Sequence, residues 1–142
     1  MLGLGLGIGV ARFGVMEDII APILLVAEVG TVGDDTITLL YNEDLDPLSI
    51  SSVLDYSVVG TILTVNSVGV DGRYIIIEMT GNITEIDAIT IFYTAGANLI
   101  RDLAHNNAAN LVAQEVTNNT QNYLMDHDGA YILDHDGDKI PI

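Results

Sequence analysis

Apolar and polar residues alternate along the central part of the chain in short runs, and turn-forming residues interrupt these runs. A period of two places successive side chains on opposite faces of an extended strand. No stretch carries a long apolar period of the kind that indicates an amphipathic helix. The pattern predicts an all-β domain over 23–120 with seven strands, at 23–29, 36–41, 56–59, 62–70, 73–79, 87–93 and 111–117.

The turn signals between these strands favour antiparallel neighbours. Asp71-Gly72 lies between two apolar runs, and Asp-Gly is a strong hairpin signal because glycine readily adopts positive φ. Pro47 excludes a central strand over 42–47, and a short helical turn is expected near 49–54. Short strands with frequent turns predict an antiparallel β-sandwich.

Residues 1–22 form an extended apolar arm ahead of this domain. Large apolar residues alternate with glycine over the first ten positions, so that one side of an extended strand is apolar and the other is bare. Such a strand does not hold its shape alone, because glycine loses much entropy on ordering. We therefore predict a docking arm, covered by its own domain, a sister subunit or a host shell, rather than a disordered tail. The predicted anchor residues are Leu2, Leu4, Leu6, Ile8, Val10 and Phe13.

Residues 121–142 contain an eight-residue unit twice, YLMDHDGA at 123–130 and YILDHDGD at 131–138. Each unit is an apolar triplet followed by Asp-His-Asp-Gly, which favours a turn because Asp bonds locally and Gly tolerates positive φ. The repeat predicts a short C-terminal β-meander that is marginal alone. We expect it to pack against a partner through Tyr123, Leu124, Tyr131 and Ile132.

The composition excludes several classes of partner and chemistry. Four basic residues against twenty acidic ones give a formal net charge of −16. Phosphate binding needs clustered cations, and the four basic residues are scattered along the chain. A nucleic-acid partner is therefore excluded, and an anionic membrane surface is disfavoured. The apolar run 19–27 is too short to span a bilayer. The N-terminus lacks the basic region of a signal peptide, because Arg12 follows its apolar stretch and does not precede it. The absence of cysteine excludes disulfides and thiolate chemistry.

Several motifs of the central segment occur in the order of a known family. They are TITLLYNEDLD at 36–46, YSVV at 56–59, VGVDGRYIII at 68–77, TIFYT at 90–94, IRDLAHNNAA at 100–109 and VTNNT at 116–120. The segment resembles a bacterial Ig-like repeat of the SwmB type. This resemblance implies an Ig-like Greek-key sandwich with a structural or adhesive role and no catalytic residues. His105 stands where the family usually has glycine, so the turn should differ if that glycine has positive φ.

The flanks are similar to those of small structural proteins of tailed bacteriophages. Together the two resemblances imply a non-enzymatic virion protein, either a capsid decoration or head-fibre protein or a tail component. Its expected partners are other virion proteins and further copies of itself, and its expected location is the virion. The alternative is a module of the bacterial cell surface that adheres to a glycan or a protein, with or without calcium.

Two acidic groups are candidate cation sites. The repeated turns supply Asp126, Asp128, Asp134 and Asp136. Asn42-Glu43-Asp44 with Asp46 forms the second group, and the same end of the sandwich is expected to hold Asp34, Asp35 and Asp102. Neither spacing matches an EF-hand loop. Solvated turn carboxylates are the favoured interpretation of both groups, Ca²⁺ is the alternative, and no other cofactor is expected.

Catalysis has weak support in the sequence. His105 near Asp102 can orient a base, but no serine lies in a strand-to-helix elbow to act as nucleophile. A pocket for glycoside hydrolysis by paired carboxylates is hard to build in so small a domain. We therefore do not expect an enzyme.

Overall fold

The computed structural model describes residues 14, 16–120, 126–128, 130 and 132–142. This part of the chain is almost entirely strand and loop, which confirms the all-β prediction. The strands are β1 (Leu24–Val29), β2 (Thr36–Tyr41), β3 (Tyr56–Val59), β4 (Val65–Asp71), β5 (Tyr74–Met79), β6 (Thr90–Tyr93), β7 (Leu111–Glu115) and β8 (Thr117–Asn118). No helix among the described residues is long and apolar enough to cross a membrane.

The strands form two sheets, as a sandwich requires. One sheet has the order β4-β5-β2-β1-β8 and the other has the order β3-β6-β7. Neighbouring strands are antiparallel except β1 and β8, which run parallel. The last predicted strand is therefore divided at Val116, because β7 belongs to the three-stranded sheet and β8 to the five-stranded sheet. The described residues thus hold eight strands, one more than predicted.

Both sheets contribute to a single hydrophobic core. Burial alternates along β5, where every second side chain points inwards, which is the period that predicted the strands. In β2 the first four side chains, Thr36 to Leu39, are all buried. The rings of Tyr56 and Tyr93 lie with their centroids 5.1 Å apart. The buried apolar side chains of the strands β1 to β6 are Ala27, Val29, Ile37, Leu39, Tyr41, Tyr56, Ile75, Ile77, Met79, Ile91 and Tyr93.

A single turn of 3-10 helix, Val53–Asp55, stands where the sequence predicts a helical turn near 49–54. Ser52 caps it: the Ser52 hydroxyl accepts a hydrogen bond from the Leu54 N–H, and the Asp55 carboxylate accepts one from the Ser52 N–H. This reciprocal capping fixes the short turn directly before β3.

The chain enters and leaves the domain at opposite ends. Residues 16–22 reach β1 beside the loop after β2, where the Ile23 N–H donates to the Asn42 side chain at 2.7 Å. At the other end of β1, Thr117 lies opposite Glu28 and Asn118 lies opposite Val29. Since β8 runs parallel to β1, the chain continues away from Ile23. The six residues of β1 separate entry from exit by roughly 20 Å.

Gly30 fixes the position of the exit. It follows β1 with a φ of 89°, a conformation that glycine adopts without steric cost. A Cβ at this position would collide with the backbone of Asn119 and Thr120, so only glycine lets the two segments pass so closely. The Asn119 N–H donates to the Val29 carbonyl at 2.8 Å beside it. The start of the tail is therefore anchored on β1.

Candidate functional site

Three carboxylates converge at the end of the domain where the chain enters. Asp18 precedes β1, Glu43 follows β2, and Asp102 lies in the loop between β6 and β7, yet one oxygen of each lies within 4.8 Å of the others. These residues line a cleft of about 340 Å³ together with Asp44, Leu103 and Ala104. We refer to this feature as the acidic cleft.

Backbone pairing between two loops positions the acidic cleft. Leu45 is buried and forms an isolated β-bridge with Asp102, and the Asp46 N–H donates to the Arg101 carbonyl at 2.9 Å. The Arg101 guanidinium also forms an ion pair with Asp46 at 2.8 Å. The Leu48 N–H and this guanidinium both stabilise the charged form of Asp46, so its pKa is lowered. The loops after β2 and after β6 are therefore joined by backbone and side-chain contacts.

Asp102 is the buried member of the acidic cleft, with 2% of its surface exposed. Burial raises its pKa, but hydrogen bonds outweigh this effect and leave the pKa below its ordinary value. The principal donors are the Asn106 N–H at 2.8 Å and the Asn106 side-chain amide at 2.7 Å. The same amide donates to the Asp18 carbonyl at 2.9 Å. Asn106 thus ties the segment before β1 to the end of the domain.

Glu43 is the member of the cleft whose charge is least favourable. Desolvation raises its pKa, and the negative charges of Asp102 and Asp18 raise it further. A bound proton or a cation relieves this repulsion. Carboxylate oxygens from three segments provide part of the set of about six to eight oxygens that Ca²⁺ takes. The arrangement is therefore suited to bind a positive group, and Asp18, Glu43 and Asp102 are the residues that would hold it.

His105 adopts a left-handed backbone conformation in the turn beside the cleft. It has a φ of 70°, in the left-handed region that disfavours residues with a Cβ. Its N–H donates to the Asp102 carbonyl at 3.2 Å, which closes the turn beside the cleft. Its ring nitrogen Nδ1 lies 3.9 Å from Asp46. The histidine therefore retains a turn of the kind that a glycine would form.

The acidic residues predicted as one group are divided between the two ends of the domain. Asp34 and Asp35 precede β2, whereas Glu43 follows it, so they lie at the opposite end from the acidic cleft. The Asp34 carbonyl accepts from the Ile83 N–H, and the Asp35 carbonyl accepts from the Met79 N–H. The expectation that these two aspartates join Asp102 is wrong, because β2 separates them.

The two repeated turns of the tail have the same local geometry. Asp126 accepts hydrogen bonds from the backbone N–H groups of Asp128 and Ala130, and Asp134 does so from Asp136 and Asp138, at 2.9 and 3.0 Å in each case. Each first aspartate thus stabilises its own turn. Among the described residues, the acidic cleft is the group whose ligand atoms converge, and the turn aspartates are not part of it.

The second repeated unit closes on the end of the chain. Leu133 pairs with Lys139, and the Ile140 N–H donates to the carbonyl of half-buried Ile132 at 3.2 Å. The predicted packing residues Tyr123, Leu124 and Tyr131 lie outside the described residues. So do the predicted anchor residues Leu2, Leu4, Leu6, Ile8, Val10 and Phe13.

An exposed apolar strip lies next to the acidic cleft, over residues 16–25. Its members are Met16, Ile19, Ile20, Ile23 and Leu25, which are 93, 82, 61, 58 and 54% exposed. We refer to these five side chains as the apolar strap. Because five large apolar side chains are exposed within ten residues of one segment, the strap is a candidate attachment surface.

Comparison with known proteins identifies no relative. No family model matches the chain, and no curated protein or solved structure matches it either. The fold and this end of the domain therefore define the class: an all-β protein of two sheets whose entry end combines an acidic cleft with an apolar strap.

Proposed function

We propose that this protein is a non-enzymatic structural component of a bacteriophage virion that attaches through its N-terminal end and displays an Ig-like domain. Capsid decoration or head-fibre protein is the first choice of position, and tail component is the second. The observation that carries the proposal is the separation of the two flanks. The apolar strap lies at one end of the domain, and the tail departs from the other end.

The order of the strands supports the Ig-like part of the proposal. In constant-type Ig domains one sheet contains strands A, B, E and D, and the other contains C, F and G. Numbered along the chain, β1, β2, β5 and β4 occupy the first set of places, and β3, β6 and β7 occupy the second. The motifs of the sequence that resemble the SwmB-type repeat fall on these same strands and on the loops between them.

The strap and the charge distribution support an attachment role. Covering an apolar surface contributes about 25 cal/mol per Å² removed from water, before the cost of ordering the arm. The high net negative charge keeps the free protein soluble until that surface is covered. Several copies on one particle would add avidity to each single contact.

Particle composition tests this proposal. Mass spectrometry of virus particles purified from cells that carry the gene should detect this chain. A variant that lacks residues 2–16 should fail to incorporate, because it has lost the arm. The control is Ile62→Asp, which changes an apolar side chain that is 99% exposed but lies outside the strap. Normal incorporation of the deletion variant would contradict the proposal.

The acidic cleft favours one alternative, a calcium-dependent adhesion module of the bacterial surface. In that case Ca²⁺ should raise the melting temperature of the full chain, and a chelator should reverse the increase. Glu43→Gln should abolish most of the increase, and Mg²⁺ should reproduce little of it because it prefers a smaller octahedral site. If the melting temperature does not change with Ca²⁺, the calcium-dependent adhesion module is excluded.

A further inference from the structure

We propose that the apolar strap and the acidic cleft together form the docking surface for the N-terminal arm of a second copy of this chain. The inference rests on the proposed function in one respect, since it takes the N-terminal end as the attachment end. The first partner at that end is then a second copy of the chain. Two copies would exchange arms reciprocally and form a two-fold dimer.

The apolar strap is suited to receive an extended apolar segment. Its side chains are exposed, and no other segment in the described part of the chain covers them. The neighbouring edge of β1 is also open, because β8 lies opposite only Glu28 and Val29 and leaves 24–26 without a paired strand in the described part of the chain. An added strand gains main-chain hydrogen bonds at such an edge.

The arm has the matching pattern. Residues 2–10 alternate large apolar residues with glycine, so that an extended arm presents an apolar stripe to the strap. Its glycine face carries no side chain and lets another backbone approach closely. Thirteen residues precede the first described position, and an extended chain of that length reaches roughly 43 Å. That reach is enough to cross from one domain to another.

Charge complementarity selects the same partner. Arg12 is the single charged side chain of residues 1–13, whereas the rest of the chain carries all twenty acidic residues. The acidic cleft presents Asp18, Glu43 and Asp102 beside the strap, and a guanidinium can bridge two carboxylates with paired N–H donors. Arg101 is not available for this role, because it already pairs with Asp46. Docking Arg12 would relieve the repulsion that Glu43 experiences.

A reciprocal exchange explains why one chain carries both the N-terminal arm and the surface that receives it. Each copy gives an arm and receives an arm, so one association forms two identical contacts and buries both apolar surfaces. The tails depart from the far ends of the two domains, because β8 runs away from the strap. The dimer would thus present two tails on opposite sides of a shared N-terminal junction.

Complementation between two full-length variants tests the exchange. Wild-type protein should have twice the 15.2 kDa chain mass by size exclusion with light scattering. A strap variant, Ile19→Asp with Ile23→Asp, and an arm variant, Leu4→Asp with Leu6→Asp, should each be monomeric. Their equimolar mixture should form a heterodimer, because one copy keeps an intact arm and the other an intact strap. Docking within one chain cannot give this rescue.

The charged contact has its own matched variants. Arg12→Glu should weaken dimerisation at least tenfold, whereas Arg12→Lys should retain part of it, since lysine keeps the charge but not the fork of donors. The control Ile142→Asp changes an apolar residue of the tail that is 69% exposed and should leave the dimer unchanged. Circular dichroism of each variant confirms that the domain remains folded.

Several outcomes would overturn the inference. These are a wild-type protein that is monomeric at every concentration, a dimer that survives the strap substitutions, and a mixture that stays monomeric. The proposed function fails separately, when purified particles lack the chain. A dimer without particle incorporation would retain the arm exchange and remove the virion assignment.

Discussion

At position 105 a histidine occupies a backbone conformation that favours glycine. Its φ of 70° costs a residue with a Cβ about 1 kcal/mol, and its side chain is mostly exposed. Glycine would remove this strain, but it also gains freedom in the unfolded chain, which offsets part of the gain. We therefore expect His105→Gly to raise the free energy of unfolding by a net value of roughly 0.5 kcal/mol. Urea denaturation measures this change. His105→Ala removes the imidazole but keeps the strain, so it should show no gain, and a gain equal to that of glycine would contradict the explanation.

The raised pKa of Glu43 gives the protein a predictable dependence on pH. Its carboxyl holds a proton more tightly in the folded chain than in the unfolded chain. This contribution to stability is present below the unfolded pKa of 4.5 and is lost as the pH rises through the raised folded value. Asp102 has the opposite sign: its contribution is present above 3.8 and is lost as the pH falls through its lowered pKa.

Glu43→Gln should therefore stabilise the protein at neutral pH and have little effect near the pH at which Glu43 is already protonated. The expected gain at pH 7 is roughly 0.5 kcal/mol, the scale of a partly exposed charge interaction. Thermal unfolding at pH 4 and pH 7 measures the difference, in the presence of a chelator and in the monomeric strap variant, so that neither a cation nor Arg12 of a second copy occupies the cleft. Glu85→Gln, an exposed residue outside the cleft, is the matched control. An equal effect of both variants would show that only net charge matters.

Two core tyrosines should respond in opposite ways to loss of their hydroxyl groups. The Tyr41 hydroxyl is buried and has no hydrogen-bond partner within the described part of the chain, whereas the Tyr56 hydroxyl lies 2.6 Å from the Ser51 hydroxyl. Tyr41→Phe should leave stability unchanged or raise it by up to about 1 kcal/mol, and Tyr56→Phe should lower it by about 1 kcal/mol. Guanidinium denaturation of both variants tests this pair. Equal losses would mean that Tyr41 also has a bonded partner.

At the level of elements, local patterns predict the strands but not their division between sheets. Each predicted strand overlaps an observed one, because alternation and turn residues act over a few positions. The passage of the chain from β7 to β8 depends instead on tertiary pairing. The Val116 N–H donates to the Ile89 carbonyl, and the next residue pairs with β1. Nothing in the alternation of 111–117 indicates that change of sheet.

The candidate site was predictable only where its residues are neighbours in the sequence. Glu43, Asp44 and Asp46 form a visible acidic cluster, and Asp102 was expected near them. Asp18 was not expected there. The contact that brings it to the cleft joins residues 88 positions apart, because the Asn106 side-chain amide donates to the Asp18 carbonyl. Asp34 and Asp35 were wrongly included, since sequence proximity to β2 does not tell which end of the strand a turn occupies. Because Asp34 and Asp35 precede β2 and Glu43 follows it, the direction of β2 alone places them at opposite ends of the domain.

For the whole molecule, the parallel pairing of β1 and β8 determines what each end can do. It directs the chain away from the apolar strap as far as Thr120, so one end can be covered while the other stays accessible. An antiparallel last strand would have returned the tail to the strap. The domain between the ends is then a spacer about as long as its strands, roughly 20 Å. This geometry suits a protein that joins one surface and presents another.

Tag accessibility on intact particles tests that arrangement directly. A tag at the C-terminus should be captured by its antibody on intact particles, because β8 leaves the domain at the end opposite to the proposed attachment end. A tag at the N-terminus should be captured only after the particles are dissociated, since the arm is covered there. Denatured protein that carries either tag should be captured equally, which controls for the antibodies. Equal capture of both tags on intact particles would place both ends at the surface and contradict attachment through the N-terminal end.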